Sequence, residues 1–205
     1  MVYVVSIILL VGLLALWAHD AYLRWHLSRT FPAPGNFITV PTAHLHYFEA
    51  GADNKSVNRP SIILVHGSSG SAFDMMETLG RKLAVDFHVV CFDRPGIAHS
   101  RNRISNRDMS DPRRQAAAIH AAASELGLEK PIIIGHSWGG AVTMAYAMQF
   151  GKQITAALAL AAPLYPWRGK GSWYERLVTT PIIGDVFAHT VLTKYGAGGL
   201  CPGVR

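Results

Sequence analysis

The residues best suited to do chemistry lie in Gly135-His136-Ser137-Trp138-Gly139-Gly140. This segment joins an apolar run, Pro131-Ile132-Ile133-Ile134, to a stretch with helical character that begins at Ser137. A serine carried on a tight strand-to-helix turn has its hydroxyl pushed outward and its backbone angles strained. Side chains at 135 and 139 would collide with the neighbouring strand and helix, so glycine is required at both. The free N–H groups at the helix start favour nearby negative charge. Ser137 is therefore the candidate nucleophile. Attack on a carbonyl leaves an oxyanion, which needs two donors. The backbone N–H of Trp138 is one. The other comes from His66-Gly67-Ser68-Ser69-Gly70, after an earlier apolar run, with the N–H of Ser68 as the expected group. His66 reads as a residue shaping that loop, with a general base as the competing reading. The Ser68 side chain either touches substrate or is solvated. A third loop, Asp93-Arg94-Pro95-Gly96-Ile97-Ala98-His99-Ser100, reads as a turn in which Asp93 pairs with Arg94 or with backbone N–H groups. The competing reading makes Asp93 a catalytic acid.

The elements that must position these loops follow from an alternating pattern. Phe37 to Val40 and Ala43 to Glu49 read as an antiparallel pair. Four apolar runs follow, at Ile62–Val65, His88–Phe92, Pro131–Ile134 and Thr155–Ala162. Helical stretches Ser71–Val85, Arg113–Leu126 and Ser137–Phe150 lie between them. Asp111-Pro112 supplies a cap and a first-turn proline, and Gly127 a stop. Apolar strands alternating with helices predict a mostly parallel, doubly wound α/β sheet covered on both faces. Sites in such sheets form beyond the carboxyl ends of the strands, where all three loops lie.

HGSSG, DRPGIAHS and GHSWGGA, in that order at strand ends, resemble the α/β-hydrolase superfamily, in particular its cofactor-free esterases, lipases and proline-iminopeptidase-like enzymes. The resemblance covers roughly residues 37 to 166. It implies an α/β-hydrolase-type sheet, Ser137 as nucleophile in the nucleophile elbow, Trp138 and Ser68 as oxyanion donors, and Gly135, Gly139, His66 and Gly67 as supports, with no cofactor and no metal. Epoxide hydrolases and haloalkane dehalogenases share the outline but place aspartate at the nucleophile position, and Ser137 argues against both.

In this superfamily the triad acid and histidine follow the nucleophile. Ala161-Ala162-Pro163-Leu164-Tyr165-Pro166-Trp167 carries no carboxylate. Asp185 and His189 are the only acid–histidine pair downstream, and they are weak candidates. Residues 168–205 read as the start of a cap or lid and an irregular tail. The expectation is a chain truncated at its C-terminus and, as it stands, weakly active or inactive. Its parent is expected to cleave an apolar ester or amide through an acyl-enzyme on Ser137. The alternative is a dead, truncated hydrolase fold acting as a binding or scaffold protein or a non-functional fragment; a peptidase or lyase of the same superfamily is a third reading.

With 50% hydrophobic and 16% charged residues, the 205-residue chain is too apolar for disorder. Its net charge of +6 comes from scattered basic residues without a nucleic-acid-binding motif. Residues 1–18 carry no charged side chain and read as a single-pass transmembrane anchor, with a signal peptide or a buried core helix as alternatives. Residues 19–36 read as a linker and 37–167 as the hydrolase core. Arg24 and Arg29 after the span favour a cytoplasmic catalytic domain.

Overall fold

The computed structural model describes residues 2–30, 32–54, 59–68, 70–165 and 180. The candidates Asp185 and His189, the expected lid and the tail all lie outside these. Helix α1, Val2–Thr30, belongs to one compact unit, and Pro34–Trp167 forms another. The helix runs on past residue 18 through much of the segment expected as a linker.

The Pro34–Trp167 unit is built on one mixed sheet. Strands β1 (Asn36–Val40) and β2 (Ala43–Ala50) form an antiparallel hairpin. Strand β3, Ile62–Val65, and strand β4, Val89–Phe92, are buried along their whole length. Fully apolar strands of this kind suit a parallel sheet with both faces covered. The two pair in parallel, Ile62 opposite Val89 through Val65 opposite Phe92. A two-residue strand, β5 (Arg101–Asn102), pairs with β2. Strand β6, Ile132–His136, runs parallel to β3 and to β7, Ala156–Leu160. The order is β1-β2-β4-β3-β6-β7. Of the segment Thr155–Ala162, whose Ala and Leu content suits a helix, residues Ala156–Leu160 are held as a strand by their ladder to β6.

Local sequence explains the helices. Ser71 caps α2 (Ala72–Met75): its hydroxyl accepts from the Asp74 N–H, and the Asp74 carboxylate accepts from the Ser71 N–H. A π-turn, Met76–Gly80, carries the chain into α3, Arg81–Leu83. The short α4, Asn106–Met109, precedes α5, Pro112–Glu125, whose cap Asp111 accepts from the Arg113 N–H. Helix α6, Trp138–Phe150, follows β6 after a single residue, Ser137. One face of the sheet packs Ile63, Val65 and Ile133 against Ile119, Val142 and Tyr146 from α5 and α6. The other packs Leu64 and Cys91 against Met75 and Met76.

Among the described residues no helix is long and apolar enough to cross a membrane. The side chains at positions 2, 5, 9, 20, 23, 24, 27 and 28 are outside that description. Counted by sequence, α1 runs from Val2 to His19 without Asp, Glu, Lys or Arg.

Candidate active site

Ser137 stands where β6 ends and α6 begins, with φ 51° and ψ −122°. Positive φ at a residue with a Cβ costs on the order of 1–3 kcal/mol and persists only where surroundings enforce it. Two hydrogen bonds do so. The Ser137 N–H donates to Leu160 O at 2.8 Å, extending the β6–β7 ladder, and Ser137 O accepts from the Gly140 N–H at 2.8 Å.

The glycines around it are dictated by contact. A Cβ on Gly135 would strike Gly139 O and the Thr143 hydroxyl. One on Gly139 would strike the carbonyl oxygens of Val65 and His66. Helix α6 thus starts pressed against the ends of β3 and β6, and neither position tolerates even a methyl group.

The loop after β3 lies beside this bend. A Cβ built on Gly67 would sit 3.1 Å from Ser137 Cβ and 3.4 Å from His136 O. Ser68 follows Gly67 on an exposed turn, and Trp138 is the first residue of α6, whose leading N–H groups have no carbonyl four residues back. The structure therefore brings Ser137, Trp138, Gly67 and Ser68 to one place. His136 is exposed.

His66 is buried, 1% exposed, and both ring nitrogens are engaged. Nε2 accepts from the Arg94 N–H at 2.9 Å, so the proton sits on Nδ1, which donates to Gly67 O at 2.7 Å. Burial pushes its pKa down, and Arg94 adds to this. A ring committed to two backbone groups shapes the loop; it has no nitrogen left for Ser137.

Asp93, 1% exposed, accepts from the Ala72 N–H (2.7 Å) and the His99 N–H (3.2 Å), and its Oδ2 meets His46 Nδ1 at 2.8 Å. The expected pairing with backbone N–H groups holds, while the Arg94 guanidinium turns instead to Gln115 Oε1 and Gly67 O. His46 is fully buried, and its Nε2 bonds Pro34 O. The sequence reading missed this partner, because His46 and Asp93 are 47 residues apart. The available signal was a polar residue on a strand flanked by Leu45 and Tyr47. A second buried line, Ser61 Oγ to His88 Nδ1 (2.9 Å) and His88 Nε2 to Glu49 Oε1 (2.6 Å), ties β2 to the starts of β3 and β4, at the opposite end of the parallel strands from Ser137. Among the described residues no histidine hydrogen-bonds to the Ser137 hydroxyl, and no three His, Cys, Asp or Glu side chains are grouped to hold a metal.

The family model of the alpha/beta hydrolase fold matches residues 60–178. This chain belongs to the α/β-hydrolase family. Epoxide hydrolase 1 of Caenorhabditis elegans is 23% identical over 146 residues, covering 70% of this chain and 33% of its own. An Escherichia coli O1:K1 / APEC protein named "Putative carbamate hydrolase RutD" is 27% identical over 101 residues, 49% of this chain and 37% of its own. A probable hydrolytic enzyme of Pseudomonas aeruginosa PAO1 superposes with a TM-score of 0.57 at 22% identity, covering 73% of this chain and 51% of that one, a likeness of fold. The chain thus spans about a third of the length of these two curated relatives.

Proposed function

We propose that this hydrolase chain carries the nucleophile and oxyanion site of a serine hydrolase that cleaves a small apolar ester or amide through an acyl-enzyme on Ser137. The observation that carries the reading is the strained backbone of Ser137, held at the mouth of β6 with Gly67 against it. In the reaction, Ser137 Oγ bonds to the carbonyl carbon and loses its proton to a base. The carbonyl electrons move to oxygen, where the N–H groups of Trp138 and Ser68 hold the charge, each worth ~3–4 kcal/mol in the transition state. Collapse expels the alcohol or amine and leaves the acyl group on Ser137 for water to remove.

Relatives named as epoxide hydrolases raise a competing chemistry. A serine oxygen that opened an epoxide would form an ether, which offers water no carbonyl to attack, so turnover would stop after one event. The serine favours acyl transfer. No base reaches Ser137 among the described residues, so this chain alone is expected to react with a fluorophosphonate slowly and without rapid turnover. The test is mass spectrometry of the labelled chain. Covalent mass on the Ser137 peptide, absent from Ser137→Ala, supports the reading; equal labelling of the variant, or none after prolonged exposure, overturns it.

We also propose that α1 tethers the chain to a membrane, with the hydrolase unit on the cytoplasmic side. Its 29 residues span about 44 Å at 1.5 Å each, longer than a ~30 Å hydrocarbon core, and its first 18 carry no charge. Leu10, Val11, Leu13 and Leu14 are all exposed, around more than one face. Deleting residues 2–30 is expected to release the chain from carbonate-washed membranes; release of the full chain by the same wash sinks the tether.

A further inference from the structure

We propose that His66 and Arg94 are positioning residues that jointly orient and polarise the Gly67–Ser68 peptide group, whose N–H is one of the two oxyanion donors. The inference rests on the Ser137 reading above and goes beyond it, because it assigns the strength of one donor to two side chains that never touch substrate.

The C=O of Gly67 and the N–H of Ser68 belong to one conjugated plane. Whatever draws electrons toward that oxygen makes the N–H a stronger donor, and whatever fixes the oxygen fixes where the N–H points. Gly67 O accepts from His66 Nδ1 at 2.7 Å and from Arg94 Nη2 at 3.3 Å. The Gly70 N–H reaches the same oxygen at 3.4 Å as a turn bond, so two buried side chains and one backbone group converge on this carbonyl. In a water-poor setting, chained hydrogen bonds strengthen one another by about 10–30% each. The backbone N–H of Arg94 also donates to His66 Nε2. That bond forces the Nδ1–H tautomer, the only neutral form able to donate to Gly67 O. Arg94 therefore acts twice: through its backbone it sets the tautomer of His66, and through its guanidinium it occupies the oxygen.

The electrostatics support a role beyond packing. Arg94 is 4% exposed, and no carboxylate among the described residues lies within ion-pair distance of it. Its remaining contact is the neutral amide of Gln115, and its Nε is buried without a partner. A buried cation is costly unless paired. Burial lowers its pKa only to about 10, so it stays charged at neutral pH. An unneutralised positive charge is thus held behind the loop on which a negative oxygen would develop, in surroundings that screen it poorly. Burial likewise lowers the pKa of His66, which favours its neutral ring.

The test uses the isotope-labelled chain. In the wild type, imidazole nitrogen shifts should show His66 as the neutral Nδ1–H tautomer from pH 5.5 to 8; an Nε2–H tautomer or an imidazolium in that range overturns the proposal without any variant. Arg94→Met should move the Gly67 carbonyl and Ser68 amide resonances upfield while leaving the Trp138 amide in place. Arg94→Lys, which keeps the charge and one donor, should restore part of both shifts. Fluorophosphonate labelling of Ser137 should slow about tenfold in Arg94→Met, the loss of one charge-assisted hydrogen bond, with partial recovery in Arg94→Lys. Unchanged Ser68 and Gly67 resonances in a folded Arg94→Met chain overturn the inference. If the wild type shows the expected resonances but Ser137 never labels, the acyl-enzyme reading fails while the polarised peptide stands.

Discussion

At the scale of single residues, the site is a set of atoms too close to admit substitution. Gly135→Ala places a methyl group against Gly139 O and Thr143 Oγ1. Overpacking against backbone of this kind is expected to cost ~3 kcal/mol, read as a lowered urea midpoint with an unchanged slope. Cys91 lies in the middle of β4 with its thiol pushed far up by burial, and the neighbouring Asp93 charge adds to the effect. Only the thiolate reacts. In a Cys201→Ser chain, Ellman's reagent should therefore leave Cys91 untouched in the native state and titrate it in urea; prompt native reaction would show β4 to be open. The strained bend at Ser137 and its glycines were legible in the sequence because their geometry is set within five consecutive residues. Trp138 and Gly67 followed from strand order.

Among elements, long-range polar contacts hold the loops, and these were the illegible part. Asp93 joins β4, β2 and the first residue of α2, and no spacing rule connects positions 46, 72 and 93. Asp93→Ala strands the buried His46 ring and the Ala72 N–H. A loss of roughly 3–5 kcal/mol is expected, as for breaking a buried pair, and chemical denaturation measures it. His88 at the other end of the parallel strands escaped notice for the same reason: Glu49 is 39 residues away. The elements themselves were readable, since β3 and β4 are unbroken apolar runs and α5 carries its own cap and proline. Helix α1 outran its expected end at residue 18, because His19 to Thr30 contains nothing that stops a helix and the first proline is Pro32.

At the scale of the whole molecule, the histidines give stability a direction with pH. His66 and His120 both have lowered pKa values in the folded chain, each chiefly through burial. The unfolded chain then binds protons first as the pH falls through ~6.5. The stability these neutral rings confer is complete above that value and drains away below it, until their folded pKa values are reached. Urea midpoints should fall between pH 7.5 and 5.5, and His120→Gln should flatten part of that slope; a midpoint that rises on acidification would contradict the burial of these rings.

The bond from the Ser137 amide to Leu160 makes the proposed nucleophile a dependant of β7. Having given its own N–H to a strand, this serine cannot lend it to an incoming oxygen, and it cannot relax into the first turn of α6 while the strand stays in register. Should β7 fray on warming, the hydroxyl would lose its aim before the hydrophobic core noticed, so reactivity and foldedness should part company by a few degrees, the amide of residue 137 exchanging with deuterium in step with the first of these and ahead of the second.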